Sequence, residues 1–527
     1  MKKILALLLT AACLALSGCQ GLNDWLFEND VPVITPSPGP EITSTPLPGP
    51  AKNNLFGVSW SGEHAVQPLA NDSRFDAQWL PLVYEGLFQL DAVFQPRELL
   101  CSRYRTADNQ TFVFTMRTGV AFHDGQPLTA RDAEWSLLEA KKPGSPYETR
   151  LTGVVAVHAL DEITLEVVLS RPNPRLPALL TVPIVPAKSD LLDVAPGTGP
   201  YVPVMEEEFS HLSPFDDWWQ RGRRPINRLE LVPVSSGNQL IYDFESRKLS
   251  LVVYNPSDVT GVQFRGDYET WEYDTPILEY IGFNTARAPV DNPLVRQALA
   301  AAVDRQAVSR RNADPRWILP AAMPIHPENP LYDPALAAAH GFDLSRVAAL
   351  FAELGYEDYE GEGTLSRKAG RRTVPLELVM IVRAENTRYA ETARRIAAAM
   401  TGAGAMVHVE ELSQSAYFDA LNKGAFDMYY DAVALTADFS PLPFFHDGLL
   451  GYGGYKDRET LELWEEAAAE TFGTAAKQVF WTRFMEEAPI VPVVFQRQAL
   501  LMQRGLTVEP RPLWENLFVN LSDWMAE

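Results

Sequence analysis

From about residue 52 onward the chain alternates between two hydrophobic periods. The segment TFVFTMR at 111–117 is rich in aromatic and β-favouring residues and reads as a strand. At 163–169, Ile163, Leu165, Val167 and Leu169 alternate with Thr164 and Glu166, which predicts a strand with one buried face. Leu294, Val295, Ala298, Leu299, Ala302 and Val303 recur at helical spacing, as do Val347, Leu350, Phe351 and Leu354, with Gly355 where that helix would stop. Thr129 followed by Asp132 has the spacing of a capping box and predicts a helix from there through Leu138. An Ala-rich helix is predicted over 386–400, followed by a strand at Val407-His408-Val409. Strands and helices are thus intermixed along the whole folded part. There is no internal repeat.

The first 50 residues follow other rules. Lys2 and Lys3 precede an apolar run at 4–16, the length of a signal-peptide core and too short to cross a bilayer. The run ends in Leu16-Ser17-Gly18-Cys19, which resembles the bacterial lipobox. That resemblance implies a signal peptide over 1–18 and a mature chain that begins at a lipidated Cys19. Residues 31–50 hold seven prolines and almost nothing to bury. Extended polyproline geometry lets 20 such residues reach roughly 60 Å, so 19–51 reads as a tether between lipid and body. Cys13 leaves with the signal, and Cys101 is most simply a small core residue.

Composition narrows the partners. The chain of 527 residues carries 45 Lys plus Arg against 68 Asp plus Glu, a net charge of −23. Such a field repels phosphate backbones and excludes nucleic acid as an expected partner. The length predicts more than one domain. No GxSxG, HExxH, Walker or GxGxxG element is present, and the eight histidines are scattered with no ligand spacing between them. Neither catalysis, a metal nor a cofactor is indicated.

A series of blocks in fixed order resembles the family 5 extracellular solute-binding proteins, the peptide- and nickel-binding lipoproteins of bacterial ABC importers. These blocks are Tyr84-Glu85-Gly86-Leu87, TFVFTMRTGVAFHDGQPLTARDAEWSL at 111–137, Pro196-Gly197-Thr198-Gly199-Pro200-Tyr201, and IGFNTARAPVDNPLVRQALAAAVDR at 281–305. Residues 342–356 and Ala488-Pro489-Ile490-Val491-Pro492 continue the series. The resemblance implies an α/β fold, a two-lobed, periplasmic-binding-protein-like clamshell of the cluster C type. Lobe I would span 52–280, with an extra subdomain over about 80–200, and resume at 488–527. Lobe II would span 281–487.

The same resemblance implies a ligand cleft between the lobes. Asp438, in Ala434-Leu435-Thr436-Ala437-Asp438-Phe439-Ser440-Pro441, falls where peptide-binding members place the aspartate that pairs with a ligand α-amino group. The alternative is that it only fastens its own loop. Leu435 and Ser440 depart from the tryptophan and second aspartate usual there. Arg383 falls near the arginine that holds a ligand carboxylate in dipeptide-type members, or is a surface arginine at a strand end. Ser59, Trp60, Ser61 and Gly62 match the first cleft loop, where Trp60 either stacks on a ligand or packs in the core.

The implied function is that of a monomeric, lipid-anchored extracytoplasmic receptor that captures a solute, most simply a short peptide, and delivers it to an ABC permease. A non-peptide cargo (a glycan fragment or metal chelate), a sensor or chaperone role, and a surface-anchored hydrolase are the other readings.

Overall fold

The chain passes twice between two units. In this computed structural model, which describes residues 56–524 apart from 190–192, 207–209, 256–263, 312–314, 470–473 and 506–508, one unit comprises the residues up to Tyr273 together with those from Gln498 on. The other is Asp274–Arg497. The signal at 1–18, Cys19 and the tether to residue 51 lie outside the described residues. Sequence motifs put the crossings near 281 and 488. The structure has them inside two long strands, Tyr268–Phe283 and Ile490–Gln503. The motifs mark where those strands end or begin, and strands of 16 and 14 residues are long enough to serve both units.

The first unit is built on two sheets. In one, β1 (Phe56–Trp60) pairs in parallel with β8 (Leu229–Pro233), followed by β7 (His211–Pro214) and β6 (Tyr201–Val204). In the other, the order is β2 (Cys101–Thr106), β3 (Thr111–Met116), β5 (Thr164–Leu169), β4 (Val154–Ala159), all antiparallel. On this second sheet Phe112, Phe114 and Met116 of β3 and Leu165, Val167 and Leu169 of β5 are buried, whereas Ile163, expected on the same buried face, lies just before the strand and is exposed. Helix α1 (Ala130–Ala140) covers β4 and β5 with Ala133, Leu137 and Ala140. Its capping box forms as read, the Asp132 carboxylate accepting from the Thr129 N–H at 2.8 Å. Cys101 is buried in this core with a free thiol.

The first sheet has its own core, and the chain's end returns to it. Phe518 and Trp524 pack on Phe56 with ring centroids 6.4 and 6.1 Å apart. Two separated motifs meet here. The Glu85 carboxylate accepts from Thr198 Oγ1 and Trp219 Nε1, each at 2.8 Å, and Tyr84 donates through its hydroxyl to Ala195 O at 2.9 Å. A Cβ at Gly197 would overlap the Val83 carbonyl, so the close approach of the two segments requires glycine there.

In the second unit, the two crossing strands lie beside β12 (Met428–Ala434), then β10 (Glu377–Arg383), then β11 (Met406–Leu412). Strand β10 is parallel to both β11 and β12, and residues 428–433 of β12 are all buried, as expected for a strand covered on both faces. Helices α2 (Pro293–Ala301), α3 (Leu344–Glu353) and α4 (Thr387–Gly402) form where helical spacing predicts them, capped by Asn292, Asp343 and Asn386. Ala302 and Val303 fall just past the end of α2 and are buried all the same.

Inside this apolar sheet sits a charged network. Arg388, in the first turn of α4, donates both guanidinium ends to Glu279 at 2.6 and 3.0 Å. Tyr430 Oη and Gln496 Nε2 complete the carboxylate's partners at 2.6 and 3.0 Å. Four donors on one buried acid satisfy the rule that interior charge must be paired and hydrogen-bonded.

Candidate ligand-binding site

In α/β sheets, ligands bind beyond the carboxyl ends of parallel strands. Each unit presents such an edge, and the residues singled out from sequence lie on them. In the first unit, β1 and β8 run in parallel register from Phe56 opposite Leu229 to Trp60 opposite Pro233, so Ser61 and Gly62 leave the carboxyl end of β1. In the second unit, β10 ends at Arg383 and its parallel neighbour β12 ends at Ala434, which opens the loop 435–441 containing Asp438.

The loop after β1 is fastened by its own side chains. Asp76 accepts from the Ser61 N–H at 2.8 Å and from Ser61 Oγ at 2.7 Å, and Asn71 Nδ2 donates to the same carboxylate at 2.8 Å. The Ser61 N–H is therefore held by Asp76. Trp60 is 5% exposed, donates through Nε1 to Glu63 O at 3.1 Å and meets the His64 ring edge-on. Core packing, one of its two sequence readings, is what these contacts describe. Ser59 is fully buried, and its Oγ has no hydrogen-bond partner. Gly62 adopts φ +89°, a left-handed conformation that glycine reaches without strain.

In the second unit, Asp438 is 7% exposed, and its Oδ1 accepts from Thr436 Oγ1 at 2.6 Å and from the Ser440 N–H at 3.3 Å. Phe439 beside it is held at φ +50°, unusual for an aromatic residue, with its ring near Phe495. The loop is thus built tightly around the carboxylate. Arg383 is 4% exposed and donates through Nη2 to Asp431 Oδ1 at 2.6 Å. The Tyr417 hydroxyl donates to the other oxygen of Asp431 at 3.1 Å. Burial pulls the guanidinium pKa down, but the Asp431 carboxylate outweighs it and holds the arginine above its ordinary value. Arg383 is therefore an internally paired cation at the strand end rather than a surface residue.

Asp431, Tyr417 and Asp76 were not reached from sequence. An acid inside the otherwise apolar Met428–Ala434 strand is a visible anomaly, and it was the available signal for Asp431. Asp76 is 15 residues from Ser61 with no local motif to connect them. Among the described residues no group of three or more His, Cys, Asp or Glu is placed to hold a metal ion.

Comparison with known proteins agrees with this architecture. The sequence profile of the bacterial extracellular solute-binding proteins, family 5 Middle, matches residues 95–457. The glutathione-binding protein GsiB of Salmonella paratyphi A is 24% identical over 295 residues, covering 52% of this chain and 56% of that one. The oligopeptide-binding protein OppA of Bacillus subtilis is 28% identical over 285 residues, covering 46% and 50%. The chain thus spans about half the length of these curated relatives. Among solved structures, the ABC transporter substrate-binding protein CtaP of Listeria monocytogenes superposes with a TM-score of 0.72 at 17% identity, covering 90% of this chain and 99% of that one. The fold is the α/β fold of that class. With a profile match over well more than half of its length, the chain belongs to the bacterial extracellular solute-binding proteins of family 5.

Proposed function

We propose that this protein is the substrate-binding component of an ABC importer. It works outside the cytoplasm as a monomer anchored by lipid on Cys19, taking up short peptides and passing them to a permease. Binding is the whole of its task, and no bond in the solute is broken. Family membership supports the class, and one observation supports the cargo: a buried carboxylate, Asp438, in the loop that leaves the carboxyl end of β12. A carboxylate already desolvated by its loop is a strong partner for an ammonium brought out of water. The loop at 59–62 leaves the corresponding edge of the first unit, and we assign it to the solute as well.

A second reading has its own observation. Arg383, which would hold a peptide's carboxylate, is already neutralised by Asp431. A ligand carboxylate would have to compete with that pair, and a cargo with an amine or a polyol but no carboxylate would not. No helix among the described residues is long and apolar enough to cross a membrane, so attachment rests on the Cys19 proposal alone.

Native mass spectrometry of the purified body tests the assignment. Co-purifying masses that fragment as short peptides support it. A glycan or chelate mass would replace the peptide reading with the second one.

A further inference from the structure

The second unit contains a small recess, open to solvent, that none of the assigned solute residues line. Gln297, Arg305, His340 and Arg346 form its polar side, with Met485 and Ile490 on the apolar side. They lie on α2, on α3 and the turn before it, at the first residue of the helix Arg305–Arg311, and in the segment 485–492.

Arg305 is 7% exposed. Its Nε donates to Ala321 O and Pro492 O at 3.1 and 2.8 Å, while its Nη1 is buried with no acceptor. The other three buried arginines of this unit each have a carboxylate: Arg296 with Glu487, Arg383 with Asp431, Arg388 with Glu279. Among the described residues, no carboxylate pairs with Arg305.

Arg346 brings a second guanidinium whose side-chain partners are neutral, Ala339 O at 2.8 Å and Gln297 Oε1 at 3.1 Å. Asp343 is the acid nearest to it in effect, and that carboxylate accepts from the backbone N–H groups that open α3. Burial pulls Arg305 down to about 10, with no carboxylate to offset it. Burial, then the charges of Arg346 and Arg305, pull His340 down to about 4, so its ring is neutral at pH 7. The recess therefore holds two cations and no anion of its own. Desolvated guanidinium groups with spare donors favour an oxyanion brought to them.

We propose that this recess is a binding site for a small oxyanion, carboxylate or phosphate, held by the guanidinium groups of Arg305 and Arg346. It stands apart from the solute assignment, because it uses neither the loop 435–441 nor the loop at 59–62.

Thermal unfolding of the full chain at pH 7 tests it, with sodium phosphate, sodium acetate and sodium chloride compared at matched ionic strength. A ligand of the native state raises the melting temperature saturably by mass action. Phosphate, acetate or both should do so beyond chloride, and which of them does identifies the oxyanion class. Arg346→Ala, at a half-buried position, should weaken the apparent affinity about tenfold or more. Gln297→Glu places a carboxylate beside Arg346, so it should abolish the response. Asp438→Asn should leave the response intact. If neither oxyanion exceeds chloride, or if Arg346→Ala and Gln297→Glu both respond like wild type, the site does not exist.

Discussion

Thr198 donates through its hydroxyl to the Glu85 carboxylate at 2.8 Å, across 113 residues of sequence, and so joins two glycine-containing turns into one junction. Trp218 and Trp219 Nε1 and Gln220 Nε2 are the carboxylate's further donors. Burial nevertheless dominates and pushes the Glu85 pKa up to about 7, with the donors pulling it part of the way back.

That shift has a sign in pH. The folded pKa of about 7 lies above the unfolded value of 4.5, so the native state binds the proton more tightly. The resulting stability is fully present below pH 4.5 and is lost as pH rises through about 7. The difference of about 2.5 pKa units corresponds to about 3 kcal/mol. Chemical denaturation from pH 4 to 8 should show wild type losing that much relative to Glu85→Gln across this window. A flat difference would mean that the donors fully offset burial and leave Glu85 at its ordinary pKa.

The Arg383–Asp431 pair separates a structural from a ligand-holding role. Removing one member of a buried pair typically costs about 3–5 kcal/mol, because the other charge is left unpaired. Arg383→Ala should destabilise the protein by that amount, read by urea unfolding. Arg383→Met combined with Asp431→Leu should recover most of it, since an apolar replacement leaves no charge behind. A near-neutral Arg383→Ala that abolishes solute binding would instead put Arg383 in the ligand's hands.

What was readable in the sequence was local. The alternation of Leu165, Val167 and Leu169 in β5, the Thr129–Asp132 cap and the helical spacing that starts at Leu294 each rest on neighbours within a few residues, and each formed. The pairs that shape the candidate site do not. Arg383 and Asp431 are 48 residues apart and meet because β10 and β12 are parallel neighbours. Ser61 and Asp76 are joined by a loop without a motif. The family's motifs put the crossings near 281 and 488, several residues from where the units divide, because those motifs mark where a strand ends or begins and both divisions lie within strands. Resemblance to a family supplied positions for Asp438 and Arg383 but could not show that each already has a partner in its own unit.

The anchor is tested through its one reactive atom. Under the proposed function, diacylglycerol would be carried on the thiol of Cys19. Cys19→Ser should yield protein without lipid label that partitions into the aqueous phase after detergent extraction. Unchanged partitioning into detergent would remove the lipid from the proposed function.

The decisive residue for cargo is Asp438, because its carboxylate has two possible jobs and a single substitution separates them. Its Oδ1 accepts from Thr436 and Ser440, which an asparagine oxygen in the same place also accepts. Asp438→Asn therefore keeps these two hydrogen bonds while it removes the charge. Stability should stay within about 1 kcal/mol of wild type, since the accepted bonds are retained. Affinity for a free peptide should fall, because a desolvated ammonium then lacks its anion. Losses of about 2–5 kcal/mol are usual for breaking such a pair, or roughly thirty-fold to a few thousand-fold in affinity. The matching N-acetylated peptide carries no ammonium, so wild type should bind it that much more weakly, and the mutant should treat the two alike. Calorimetric titration of both proteins with both peptides gives the four constants required. If wild type does not distinguish the acetylated peptide, Asp438 serves its loop alone, and the peptide assignment gives way to a cargo recognised by other groups.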